Sequence, residues 1–210
     1  GSIWIPANQK PDSTTDIYID QGHTLRLLGS EAVKSVYLHA GTGAGQKLNL
    51  NNFNLDVYGV LAAFSGPAPG QSRGAWNSQN WIGNSPNSTL TFKGESRVIV
   101  DKASWSAQST QSRFGVIFDP GPGQELTLQA PFKALSFRLR SGTLYQKNDL
   151  SSSSSPCFTL SFNTENSLYG SGPFGTVTVE AGATFRSACS AQVIHRTPTN
   201  PALLFDLRRD

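Results

Sequence analysis

Apolar and polar residues alternate in short runs along most of this chain. The clearest run is 48–61, where Leu48 and Leu50 make one apolar face and Leu55 and Val57 another, with Asn51, Asn52 and Asn54 in the break between them. A period of two marks a half-buried strand and a cluster of asparagines marks a corner, so the stretch predicts strand, corner, strand. The same idiom recurs at 17–19 and 24–28 around Asp20, Gln21, Gly22 and His23, at 36–38, and at 89–92 and 97–100 around Lys93, Gly94, Glu95 and Ser96. Further strands are expected at 115–118, 125–128, 135–139, 143–145, 158–162, 176–179, 183–185 and 203–207. No stretch carries apolar residues at i, i+3, i+4 and i+7, so the expected class is all-β.

Taking one strand centre per repeat at Ile17, Val36, Leu55, Leu90, Val116, Leu135, Phe158, Val177 and Leu203 gives an average step of about 23 residues, within the range of solenoid repeats. One step is long because it contains 66–87, where Gly66, Pro67, Pro69, Gly70, Gly74, Gly83 and Pro86 break the rhythm around Trp76 and Trp81. That segment is read as a loop inserted into a regular scaffold. The chain is expected to be a single unit over 1–210. Gly1-Ser2 reads as a cleavage scar and there is no Met, so the chain is expected to be a segment of a longer protein.

The phrases Leu90-Thr-Phe-Lys-Gly-Glu-Ser-Arg-Val-Ile-Val and Val177-Thr-Val-Glu-Ala-Gly-Ala-Thr-Phe resemble the repeat idiom of right-handed parallel β-helix proteins. Similar units occur in autotransporter-like passenger domains, in G8-like domains and in large secreted bacterial surface proteins. The resemblance is one of style over most of the chain and maps no catalytic residue. It implies a right-handed parallel β-helix with one long loop insertion, in an extracellular or cell-surface bacterial protein of adhesive or carbohydrate-active type.

Composition narrows the partners. Of 210 residues 37% are hydrophobic, enough for a core, and only 15% are charged. A net charge of +3 with no block of Lys or Arg gives no basic stripe for nucleic acid. No apolar run approaches the roughly 20 residues of a membrane span, so membrane insertion is not expected. Cys157 and Cys189 have no zinc spacing, and a disulfide and two buried free thiols both fit them. His23, His39 and His195 share no ligand spacing, and no Gly-x-Ser-x-Gly elbow is present, so no metal, cofactor or nucleophile is expected.

Two groups of residues carry candidate binding chemistry. Trp76 and Trp81 sit in the insertion beside Asn77, Gln79, Asn80 and Asn84; flat rings flanked by amides suit stacked sugars, and equally suit a loop stapled onto its scaffold. In Phe137-Arg138-Leu139-Arg140 the alternation predicts Phe137 and Leu139 inward and both arginines outward. Near Arg113 or Arg186 they would attract an acidic polysaccharide; as a solvated face they would guard against strand aggregation. Asp101, Asp119 and Glu125 are the nearest carboxylates for a lyase or hydrolase, without a short ligand spacing. The leading expectation is a monomeric, non-catalytic stalk or glycan-facing adhesin module whose partner is a polysaccharide or cell-surface glycan. The alternative is a polysaccharide lyase or glycoside hydrolase, or its accessory domain.

Overall fold

A computed structural model describes residues 10–39, 47–64, 82, 87–95, 97–98, 114–128, 132–134, 136–146, 160–162, 177–187 and 205–207. Among them all regular structure is β, and every named strand pairing is parallel. The first sheet holds seven strands in the order β1 (Asp16–Ile19), β4 (Ser35–His39), β7 (Leu61–Phe64), β9 (Arg97–Val98), β11 (Glu125–Leu128), β14 (Thr143–Gln146) and β17 (Thr184–Ser187). The second holds seven in the order β3 (Glu31–Val33), β6 (Leu55–Val57), β8 (Thr89–Lys93), β10 (Gly115–Asp119), β13 (Ser136–Leu139), β16 (Val177–Val179) and β18 (Phe205–Leu207). Two short pairs, β2 (Leu25–Arg26) with β5 (Leu48–Asn49) and β12 (Phe132–Ala134) with β15 (Leu160–Phe162), fall in sequence between a strand of the first sheet and a strand of the second. Ile82 extends the former by bridging to Leu48.

The alternation read from the sequence decides which side chains meet. Val33, Val57, Phe92, Phe118, Leu139 and Val179 are consecutive register partners across the second sheet, and all but Val179 are buried. On the first sheet Ile17, Val36 and Leu61 align in the same way. Leu48, Leu50 and Ile82 belong to the same buried core. Inside it Phe92 stacks on Phe118 at 5.8 Å and Phe118 on Phe137 at 6.0 Å. Burying each such ring or branched side chain stabilises the fold by about 1.5–3 kcal/mol.

The corner at 50–54 behaves as its asparagines predict. Asn51 and Asn52 adopt left-handed backbone, with φ of 50° and 63°, a region asparagine tolerates better than most residues. Their neighbours tie successive passes of the chain together. Asn51 Nδ2 donates to the Leu27 carbonyl at 2.8 Å, the Asn54 amide donates to Ser30 Oγ at 3.1 Å, and the Thr89 amide donates to Asn54 Oδ1 at 2.9 Å.

Two sequence-based expectations are corrected. A single series of strand centres running Ile17, Val36, Leu55, Leu90 crosses between sheets: Val36 pairs with Leu61 in the first sheet, whereas Leu55 pairs with Leu90 in the second. Both sheets obey the same period of two, so alternation alone does not separate them. Nor does the 158–162 run supply a separate step before Val177. Phe137 pairs directly with Val177, and β15 lies instead on β12, a strand hidden behind the apparent corner at Ala130-Pro131. Register steps therefore range from 18 residues between Leu126 and Leu144 to 41 between Leu144 and Phe185. Leu135, Phe158, Leu203, Cys157 and Cys189 lie outside the described residues, as does 66–87 apart from Ile82 and Asn87.

Glycine is required most stringently at Gly142. Its φ is +63°, and a Cβ there would come closer than 3.0 Å to the carbonyl oxygens of Gly121 and Gln124 and to the Pro120 ring. Gly182 has φ of +77° with nothing within 4 Å of the same position. Gly182→Ala is expected to cost about 1 kcal/mol from backbone strain alone. Gly142→Ala should cost upwards of about 3 kcal/mol, because two backbone groups must also shift. Urea midpoints of the two variants check the difference.

Candidate functional site

Outward side chains, not the apolar interior, carry whatever this protein presents to a partner. On the second sheet Phe137 and Leu139 are buried and Arg138 and Arg140 exposed, as the alternation requires. Both arginines are matched to carboxylates. Arg138 Nε donates to Glu180, which follows the neighbouring strand β16. Arg140 Nη1 donates to Asp119 Oδ2 at 3.3 Å, while Asp119 Oδ1 accepts the Ser141 hydroxyl at 2.5 Å and Ser141 Oγ in turn accepts the Gly121 amide at 2.9 Å. Asp119 thus ties the end of β10 to the end of β13.

Arg186 does not join Arg138 and Arg140. It lies on β17 of the first sheet, where it reaches across β14 to Glu125 with its guanidinium 4.1 Å from the centre of the Tyr145 ring. Arg113, Trp76, Asn80 and Trp81 lie outside the described residues. Arg138, Arg140 and Arg186 therefore form separate neutral pairs and not one cationic surface, while the exposed Arg26 on β2 donates to Asn51 Oδ1 at 2.8 Å. Each such solvent-exposed pair contributes about 0–1 kcal/mol.

A second feature is aromatic. Tyr18 on β1 and Tyr37 on β4 are register partners on the outer side of the first sheet, and their rings stack at 4.7 Å with planes 6° apart. Phe64 sits edge-on to Tyr18 at 6.1 Å and to His39 at 5.0 Å. Phe64 is 6% exposed, whereas Tyr18, on the strand at the end of the sheet, is 49% exposed. Charged groups flank the rings. Asp16 Oδ2 is 3.6 Å from Lys34 Nζ, and Asp20 Oδ1 is 3.9 Å from His39 Nε2.

Electrostatics follow from this setting. Burial raises the Tyr18 phenol above its ordinary pKa, with the Asp16 carboxylate and Tyr37 adding to the shift, since a phenolate beside a carboxylate is disfavoured. Lys47 is buried and its ammonium is pushed below the usual lysine value by desolvation, against an opposing pull from Asp20. On the second sheet Lys93 is held above its usual value by its bond to Asp56, 2.6 Å away, and lies 5.6 Å from the Tyr58 ring centre. Among the described residues no group of three or more His, Cys, Asp or Glu is placed to hold a metal ion.

Comparison with protein-family models, curated proteins and solved structures finds no match to this chain. The outward geometry is then the basis for a functional reading. Sequence reasoning passed over the tyrosine pair, although its signal was present: Ile17-Tyr18-Ile19 and Val36-Tyr37-Leu38 place an aromatic at the same outward phase of two strands.

Two measurements check these assignments. Asp16→Asn should lower the Tyr18 phenol pKa part of the way to its ordinary value, because burial remains, and tyrosine ring NMR across alkaline pH reads the shift. A double-mutant cycle of Asp119→Ala with Arg140→Ala should return a coupling of about 0.5–1 kcal/mol in urea unfolding. Asp119→Ala alone should cost more, about 1–2 kcal/mol, because it also takes away the Ser141 acceptor.

Proposed function

We propose that this chain is a right-handed parallel β-helix acting as a non-catalytic, glycan-facing module of a secreted or cell-surface bacterial protein. The observation that carries the reading is the arrangement of two seven-stranded parallel sheets, which the chain visits in a repeating order around one apolar interior. Stacked parallel strands give a long outer surface with a fixed side-chain spacing of about 4.8 Å between neighbours, suited to an extended polymer of repeating units. Arg138, Arg140 and Arg186 are engaged with carboxylates, which favours a structural role for them over capture of an acidic chain. A polysaccharide or cell-surface glycan is the partner in this reading. Nucleic acid and membrane insertion play no part in it, and the unit works as a monomeric segment.

A glycan array probed with the whole chain tests the proposal, and binding to one or more extended polysaccharides is the expected result. A Trp76→Ala/Trp81→Ala double variant locates the contact: loss of binding assigns it to the 66–87 insertion, and retained binding assigns it to the sheet faces. No binding across the array would overturn the glycan-facing role. Release of unsaturated or reducing ends from the bound polysaccharide would replace a binding module with a lyase or hydrolase.

A further inference from the structure

Among the described residues the stacked tyrosines are covered on one side only. Tyr37 covers one face of the Tyr18 ring, Ala62 is the next register partner beyond Tyr37, and Phe64 lies perpendicular to Tyr18 at 6.1 Å. β1 is the outermost described strand of the first sheet, Tyr18 is 49% exposed, and among the described residues no ring covers its other face. That face is flat, apolar and rigidly held by its neighbour, the surface that the C–H-rich side of a sugar ring packs against.

The flanking charges select the class of sugar. Asp16 is next to Lys34, and Asp20 is next to His39 and within the electrostatic reach of Lys47. Carboxylates (Asp16, Asp20) and an ammonium (Lys34) thus flank the ring together, so a carboxylate or an amine on a ligand would meet charges of both signs. Hydroxyl groups are different, because they donate to a carboxylate and accept from an ammonium without displacing an ion pair. The groups best exposed for this are the Asp20 side chain at 70% and the Lys34 side chain at 55%.

We propose that the open face of Tyr18 is a stacking subsite for a neutral pyranose ring, with Asp20 and Lys34 hydrogen-bonding its hydroxyls. The subsite rests on the glycan-facing reading and makes it specific in place and in ligand charge. It points away from the acidic polysaccharide that outward arginines by themselves would favour.

Calorimetric titration of the whole chain with a neutral glucose hexamer, a uronic-acid hexamer and a glucosamine hexamer tests it. The neutral hexamer is expected to bind most tightly. Tyr18→Ala should weaken that binding about tenfold, Tyr18→Phe should stay within about twofold, and Tyr18→Leu should fall with the alanine variant, since stacking needs a ring and not merely an apolar group. Circular dichroism melting of each variant separates lost binding from lost folding. Undiminished affinity in a folded Tyr18→Ala variant, or tighter binding of either charged hexamer, overturns the subsite and leaves the glycan-facing role standing. If the unaltered chain binds none of the three hexamers and no polysaccharide on the array, the glycan-facing role and the subsite fall together.

Discussion

Everything in this structure depends on parallel strands pairing in register, so that each inward side chain lies against its counterpart one pass of the chain away. The series Val33, Val57, Phe92, Phe118 and Leu139 is the plainest instance. Every member has an apolar neighbour on one or both sides, and backbone groups between them are matched along the ladder, leaving few donors or acceptors to solvate. Moving one strand by a single residue would turn its inward face outward, so burial and register enforce each other. The chain can then vary freely between strands, because the length of an excursion does not alter where the next strand lands.

The same constraint organises the outer surface. In-register pairing places outward residues in rows as well, and the rows here are locally matched by charge or by shape. Arg138 meets Glu180, Arg140 meets Asp119, Lys93 meets Asp56, and Tyr18 meets Tyr37. Individually these contacts are weak. Their consequence is specificity, since a register slipped by one residue would turn these side chains inward and leave Tyr18 without its stacking partner. At β1, the last described strand of the first sheet, Tyr18 is 49% exposed, and among the described residues no further ring continues the row.

Corners bear a different kind of load. At 50–54 the asparagines accept left-handed backbone and bond to the passes on both sides, to Leu27, Ser30 and Thr89. At Gly142 the chain passes so close to Gly121 and Gln124 that no side chain fits. These positions fix the local path of the chain from one strand to the next.

The sequence alone determined the β class, the positions of most strands and the facing of their side chains. Period-two alternation is a local property: Phe137 and Leu139 had to be inward and Arg138 and Arg140 outward whichever strands adjoined them. The asparagine corner was legible for the same reason, as the backbone preference belongs to the residues themselves. Partner choice was not legible. Nothing local distinguishes Val36, which pairs with Leu61, from Leu55, which pairs with Leu90, because both sheets read alike and the steps between partners vary widely. The candidate site shows the same division. The outward phase of Tyr18 and Tyr37 can be read from their flanking apolar residues, but the face-to-face stack and the neutralisation of Arg138, Arg140 and Arg186 depend on neighbours 19 to 61 positions away. Only the tertiary structure, by choosing those neighbours, decided which outward groups were already engaged and which remained open.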